Sequence, residues 1–157
     1  MNFYTIIFLR HGESSGNAGG YYQGQKDFQL TPRGKSQVRR LITRWRADKT
    51  QFDAVISSPL TRALATAQMI CRAFDYPLEI DEEWRERDMG VLTGIKREEA
   101  DKVYPLPDFF TPFDNMGKIG EGDWALFMRA GKAIHNILTR PPARYLVVSH
   151  GGILNQT

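Results

Sequence analysis

Residues 3–12, FYTIIFLRHG, decide the reading of the fold. Phe3 to Leu9 is a short β-branched and aromatic run, which predicts a buried strand. It stops at Arg10-His11-Gly12, where a polar triplet with a glycine predicts a turn. Residues 145–152, YLVVSHGG, repeat the arrangement near the other end of the chain: Tyr145 to Val148 reads as a buried strand leading into Ser149-His150-Gly151-Gly152. Two strands thus end in a histidine followed by glycine.

Between them, strand and helix patterns alternate. Gly16, Gly19, Gly20 and Gly24 mark a loop over residues 14–30. Thr31-Pro32 reads as an N-cap and first helical position, and Val38, Leu41, Ile42 and Trp45 carry that helix to about Ala47. Ala54 to Ser57 is a second strand. Ser58-Pro59 opens the next helix, with Leu60, Ala63, Leu64, Ala67, Ile70, Cys71 and Phe74 as its apolar stripe. Leu78 to Ile80 is a third strand. Residues 81–95 read as irregular, Lys96 to Val103 as a short helix, and the proline-containing stretch to Gly122 as loop. Asp123 is expected to cap a helix with a core face of Phe127, Gly131, Ile134 and Leu138, ended by Pro141-Pro142. The alternation predicts one α/β domain over residues 1–157, with a mostly parallel β-sheet and helices on both faces. Residues 153–157 leave a covering helix barely begun. The expectation is a domain short at its C-terminus, lacking a helix and strand, or one whose cover comes from another chain as in a homodimer.

Composition bounds the function. The 157 residues are 41% hydrophobic and 25% charged, ordinary globular usage. The net charge of +3 is dispersed. The densest basic cluster, Arg39, Arg40, Arg44 and Arg46, reads as the solvated face of a helix, and no nucleic-acid partner is expected. The single cysteine, Cys71, allows no intrachain disulfide and reads as a buried thiol. No stretch approaches a membrane span or a secretory h-region. A cytoplasmic protein with no membrane partner is expected.

The polar residues cluster at strand exits. Arg10, His11 and Gly12 follow the first strand, Arg62 sits in the first turn after the second, and His150 and Gly151 follow the last. Ligands of parallel α/β sheets bind outside the carboxyl ends of the strands. Two arginines brought together need an anion between them, and guanidinium binds phosphate through a planar fork of donors. Backbone N–H groups at Gly12 and Gly151 are expected to add donors. A neutral His11 can attack phosphorus, while the arginines and a second, protonated histidine stabilise the phosphoryl oxygens. Glu86 is the choice of general acid for the leaving alkoxide. Glu13 and Asp88 are rivals by type, with Glu13 open to pairing with a cation instead. His135, mid-helix, reads as structural.

Taken together, residues 8–37 (FLRHGESSGNAGGYYQGQKDFQLTPRGKSQ), 56–70 (ISSPLTRALATAQMI), 84–94 (WRERDMGVLTG), 120–134 (GEGDWALFMRAGKAI) and 146–152 (LVVSHGG) resemble the histidine phosphatase superfamily, also called the phosphoglycerate mutase-like family. The motifs run in family order over nearly the whole chain. The resemblance implies that His11 is the phosphorylated nucleophile and Glu86 the proton donor. It implies that Arg10, Arg62 and His150 complete the phosphate pocket, that Asn17 donates a further hydrogen bond, and that Gln23 with Gly24 lines the substrate side. It also implies neither metal nor organic cofactor.

The family contains phosphatases and mutases. The segment between Glu86 and His150 is short, which favours a metal-independent phosphomonoesterase acting on a small phosphorylated metabolite. The Glu86-Arg87 pair resembles the cofactor-dependent phosphoglycerate mutases, which stand as the alternative. A branch acting on protein phosphohistidine ranks lower because the long signature after His11 is present. A non-catalytic phosphate-binding protein is the remaining reading, although anion binding alone does not require His11 and Glu86. Pro105, Pro107, Phe109, Phe110, Pro112 and Phe113 read equally as a lid over the substrate or as a surface loop packed on itself.

Overall fold

A computed structural model describes residues 3–105, 107 and 109–157. Four strands form one sheet: β1 (Thr5–Arg10), β2 (Ala54–Ser57), β3 (Leu78–Ile80) and β4 (Arg144–Ser149). Their order is β1-β4-β2-β3 and every pairing is parallel. The last strand of the sequence therefore lies in the middle of the sheet, between the first and the second. Its residues alternate in direction: Leu146 and Val148 enter one core, Tyr145 and Val147 the other.

Two layers of helix cover the sheet, as expected. On one face α2 (Pro32–Ala47) and α3 (Thr61–Phe74) pack Val38, Ile42, Ala63, Ala67, Ile70 and Cys71 against Val55, Leu146 and Val148. Thr31 caps α2 by accepting the Gly34 N–H at 2.9 Å, with Pro32 at its first position. The α3 helix begins later than Ser58-Pro59 suggests, at Thr61 after a Leu60 N-cap that has no side-chain hydrogen bond. Burial raises the Cys71 thiol pKa to about 11, as suits an inert core residue. The basic cluster of α2 points to solvent.

The other face holds α5 (Asp123–Leu138) and the short α6 (Gly151–Leu154). Here the expected core face is wrong by one residue. The buried positions are Leu126, Ala130, Ala133 and Ile137, whereas Phe127, Gly131 and Leu138 are exposed and Ile134 is half-buried. The physical reason is size. Alanine at two of the four inward positions lets α5 lie close on the sheet, and its larger side chains, including Trp124 and Met128, remain outside. Asp123 is also not the cap. Gly122 takes that position, and the Asp123 carboxylate at the first helical residue pairs with Arg87.

Smaller elements complete the chain. α1 (Ser15–Ala18) interrupts the expected loop after His11, and residues 97–103 form a 3₁₀ turn followed by α4 (Ala100–Val103). β1 starts at Thr5 and includes Arg10, so Phe3 lies outside the strand and is exposed. The register of α5 can be checked directly. Leu126→Ala is expected to cost about 2–5 kcal/mol in urea unfolding, and Phe127→Ala less than about 1 kcal/mol; the reverse ranking would restore the face expected from the sequence.

Candidate active site

The sheet ladder extends beyond the strands and places the site. The His11 N–H donates to the Ser149 carbonyl at 3.0 Å, and the Ser58 N–H donates to the Val148 carbonyl at 3.0 Å. The exits of β1, β4 and β2 are thereby pinned side by side, and the His11 and His150 rings lie 5.2 Å apart, centre to centre.

His11 is buried, and its Nδ1 lies 2.6 Å from the Gly12 carbonyl oxygen. A carbonyl only accepts, so the proton sits on Nδ1 and the Nε2 lone pair is free. Burial, reinforced by the positive charges of Arg62 and Arg10, lowers the His11 pKa to about 4, although the Gly12 carbonyl opposes the shift. His11 is therefore neutral at pH 7. His150 is fully buried with Nε2 2.7 Å from Ser58 Oγ. Burial first, then the charge of Arg62, of His11 when it is protonated, and of Arg10 and Arg129, hold its pKa well below the ordinary value. This corrects the expectation of a protonated second histidine: desolvation among cations leaves the ring neutral.

The arginines have different surroundings. Arg10 lines the cavity and forms no ion pair among the described residues. Arg62 is 1% exposed, and it donates to the carbonyls of Gly24 at 2.8 Å and Lys26 at 2.9 Å. It therefore braces the loop that carries Gln23 and Gly24, while its buried Nε has no acceptor among the described residues. Burial lowers its pKa to about 10, which leaves it charged at neutral pH.

Beside Arg10 and His11 lies a cavity of about 450 Å³ whose wall includes Arg10, His11, Asn17, Gln23, Glu86 and Gly151, with Arg62 and His150 buried outside that wall. Asn17 is oriented by a capping box: its Oδ1 accepts the Ser14 N–H at 3.0 Å. Because that N–H can only donate, the Asn17 amide nitrogen must point elsewhere and is available to a ligand. Gln23 Oε1 lies 2.6 Å from Ser14 Oγ, in space left by the absent side chain of Gly16. Gly24 adopts a positive φ of 49°.

Glu86 has its Oε1 on the Arg87 N–H at 2.8 Å and its Oε2 on the Gly152 N–H at 3.2 Å. A Cβ at Gly152 would overlap this carboxylate. The rival acids are occupied away from the cavity. Glu13 accepts from Thr31 Oγ1 at 2.7 Å and faces Arg33 at 3.5 Å, and Asp88 caps the Gly90 N–H at 2.9 Å. Gly12 does not serve as expected: its N–H donates to Thr66 Oγ1 at 3.1 Å, and its lack of a side chain lets α2 approach at Gly34. No protein acceptor meets the Gly151 N–H among the described residues.

The model of the histidine phosphatase superfamily (branch 1) matches residues 6–157. The chain belongs to this superfamily. The Arabidopsis thaliana phosphoglycerate mutase-like protein 4 is 33% identical over 98% of the chain and 69% of its own length. The wheat (Triticum aestivum) 2-carboxy-D-arabinitol-1-phosphatase is 38% identical over 63% of the chain, which spans only 20% of that protein. Among solved structures, a phosphoserine phosphatase variant from Entamoeba histolytica, in complex with phosphoserine, superposes with a TM-score of 0.80 at 27% identity, covering 96% of this chain and 76% of that one.

Within this superfamily member, the structure brings His11, His150, Arg10, Asn17, Gln23, Gly24, Glu86 and Gly151 together, with Arg62 behind them as a brace. Sequence reasoning missed Tyr21, Tyr22, Met89 and Arg97 in the cavity wall, where the Arg97 guanidinium lies 5.1 Å from the centre of the Tyr22 ring. It also missed Arg129. From α5, Arg129 donates to the carbonyls of Glu83 and Arg85 at 2.7 Å and pairs with Glu121, fixing the turn that carries Glu86. No local signal marks a helical arginine as a brace of this turn, because the carbonyls it binds lie more than forty residues away. None of the described residues of 104–122 lines the cavity. Phe109 and Phe113 are exposed, and Phe113 packs on Trp124 of α5. Among the described residues, no three His, Cys, Asp or Glu side chains are grouped to hold a metal.

An NMR titration of the His11 ring is expected to show a midpoint near pH 4 rather than 6.5. Below that midpoint the ring is a cation and its nucleophilic lone pair is lost. The unfolded chain takes up this proton first, so folding stability is expected to fall as pH drops from about 6.5 toward 4, and less steeply in His11→Gln. A midpoint near 6.5 would contradict the desolvated site. Gly152→Ala is expected to displace Glu86 and lower turnover of phosphomonoesters about 10-fold or more, while thermal unfolding changes little; unchanged turnover would mean that this contact does not position the carboxylate.

Proposed function

We propose that this protein is a metal-independent phosphomonoesterase that acts on a small phosphorylated metabolite through a phosphohistidine on His11. The observation that carries the reading is the bare, neutral Nε2 of a buried histidine, whose other nitrogen is fixed by the Gly12 carbonyl. Such an atom among cations has the features a nucleophile for phosphorus needs.

In the first step the Nε2 lone pair attacks phosphorus and the ester P–O bond breaks. Glu86, in its protonated form, gives its proton to the departing alkoxide. In the second step the Glu86 carboxylate takes a proton from water as that oxygen attacks phosphorus. The N–P bond then breaks, which returns the lone pair to His11 and releases inorganic phosphate. Arg10, His150, the amide nitrogen of Asn17 and the Gly151 N–H stabilise the phosphoryl oxygens, Arg62 adds its positive charge from behind the loop that it braces, and Gln23 and Gly24 lie on the substrate side. Nothing in this sequence of steps calls for a metal or an organic cofactor.

The mutase reading is supported by the phosphoglycerate mutase-like relative that matches 98% of the chain and by the Glu86-Arg87 pair. It differs only in the acceptor of the phosphoryl group, a second hydroxyl in place of water.

The test is release of inorganic phosphate from a panel of phosphomonoesters in the presence of chelator. His11→Ala is expected to lose more than about 10³-fold in kcat/KM. Full turnover by that variant would overturn the mechanism. Glu86→Gln is expected to lose about 10²-fold on alkyl phosphates and far less on p-nitrophenyl phosphate, whose leaving group needs no proton. Isomerisation of phosphoglycerates stimulated by 2,3-bisphosphoglycerate would instead select the mutase.

A further inference from the structure

We propose that Ser58 is a positioning residue that fixes the tautomer of His150, so that the buried Nδ1–H of His150 is the donor offered to a phosphoryl oxygen. The proposal rests on the phosphoryl-transfer reading above and adds a residue to it.

The argument is an accounting of protons. Ser58 Oγ has two neighbours that hydrogen-bond to it: the Leu60 N–H at 3.3 Å and His150 Nε2 at 2.7 Å. Both Ser58 and His150 are fully buried. The Leu60 N–H can only donate, so it cannot receive the serine proton. If His150 carried its proton on Nε2, it too would donate, and the buried Ser58 hydroxyl hydrogen would be left without an acceptor among the described residues. A buried unpaired donor costs about 1–3 kcal/mol. In the other arrangement the Ser58 hydroxyl donates to Nε2, both of its contacts are satisfied, and the one unpaired donor is the ring N–H on Nδ1, which a ligand rather than the protein can meet.

Nδ1 is buried and has no hydrogen-bond partner among the described residues. It is therefore an unspent donor, in a ring 5.2 Å from that of His11 and directly before Gly151 at the cavity wall. With the opposite tautomer this atom would present a lone pair, which repels a phosphoryl oxygen. The serine itself is held rigidly, because its N–H is tied to the Val148 carbonyl, two residues before His150. The hydroxyl that sets the tautomer and the ring that uses it are thus carried by adjacent strands.

The test uses the full chain labelled with ¹⁵N, and reads the ring nitrogens of His150 by long-range ¹H–¹⁵N correlation in wild type, Ser58→Ala and Ser58→Thr. Wild type is expected to show a protonated Nδ1 and a bare Nε2, and addition of inorganic phosphate is expected to shift the Nδ1 proton. Ser58→Ala is expected to give a mixed or Nε2-protonated ring and to lower kcat/KM about 10–100-fold on the best ester of the panel. Ser58→Thr, which keeps the hydroxyl, is expected to restore both. A wild-type ring protonated on Nε2 overturns the proposal. So does a Ser58→Ala protein whose tautomer and kcat/KM are unchanged. If Ser58→Ala does not fold, the wild-type and threonine spectra still decide it. Absence of turnover on every ester would count against the phosphatase reading, whereas the tautomer and its response to phosphate would still be measured.

Discussion

Parallel pairing of β4 with β1 on one side and β2 on the other is the constraint on which the site depends. Each ladder runs past its last strand residue, through the His11 N–H to Ser149 and the Ser58 N–H to Val148. These bonds bring residues from three distant parts of the sequence to one edge of the sheet. Fully buried side chains on both faces of β2 and β4, among them Val55, Ile56, Leu146, Val147 and Val148, hold the register. A slip of one residue would turn every side chain of β4 to the opposite face and carry His150 away from His11.

The consequence is a site with an excess of buried positive charge. Arg62 and two histidines are removed from water, with Arg10 beside them. The protein relieves part of this repulsion by leaving both rings neutral and by giving Arg62 backbone carbonyls to bind. The remainder is a positive field that Glu86 and Asp27 offset only in part, with the Glu86 carboxylate engaged by the N–H groups of Arg87 and Gly152. An anion with several oxygens satisfies such a field, and a phosphoryl group in transfer gains most from it as its charge spreads over those oxygens.

Several features were legible because their signals are local. The β2 strand and α2 were read with their observed limits, since Thr31-Pro32 and the β-branched run at 54–57 are self-contained signals. Glu86 lies in the cavity wall, whereas Glu13 and Asp88 do not. The face of α5 was misread because the criterion was side-chain size along the helix. The criterion the fold applies is how near the helix backbone comes to the sheet. Ala130 and Ala133 fit that gap; Phe127 does not. The donor role given to Gly12 failed for a related reason: whether a glycine admits a ligand or a neighbouring helix depends on what lies opposite, and here Gly34 does.

By itself the sequence determined the α/β class, the residues at the strand exits and the membership of a superfamily, because strand periodicity, caps and ordered motifs are written along the chain. Only the tertiary structure decided which atoms face one another. It set the bare Nε2 of His11, the neutrality of His150, the bracing roles of Arg62 and Arg129, and the serine beneath His150. Protonation and hydrogen-bond direction depend on burial and on partners brought from elsewhere in the chain, and those exist only once the sheet has closed its register.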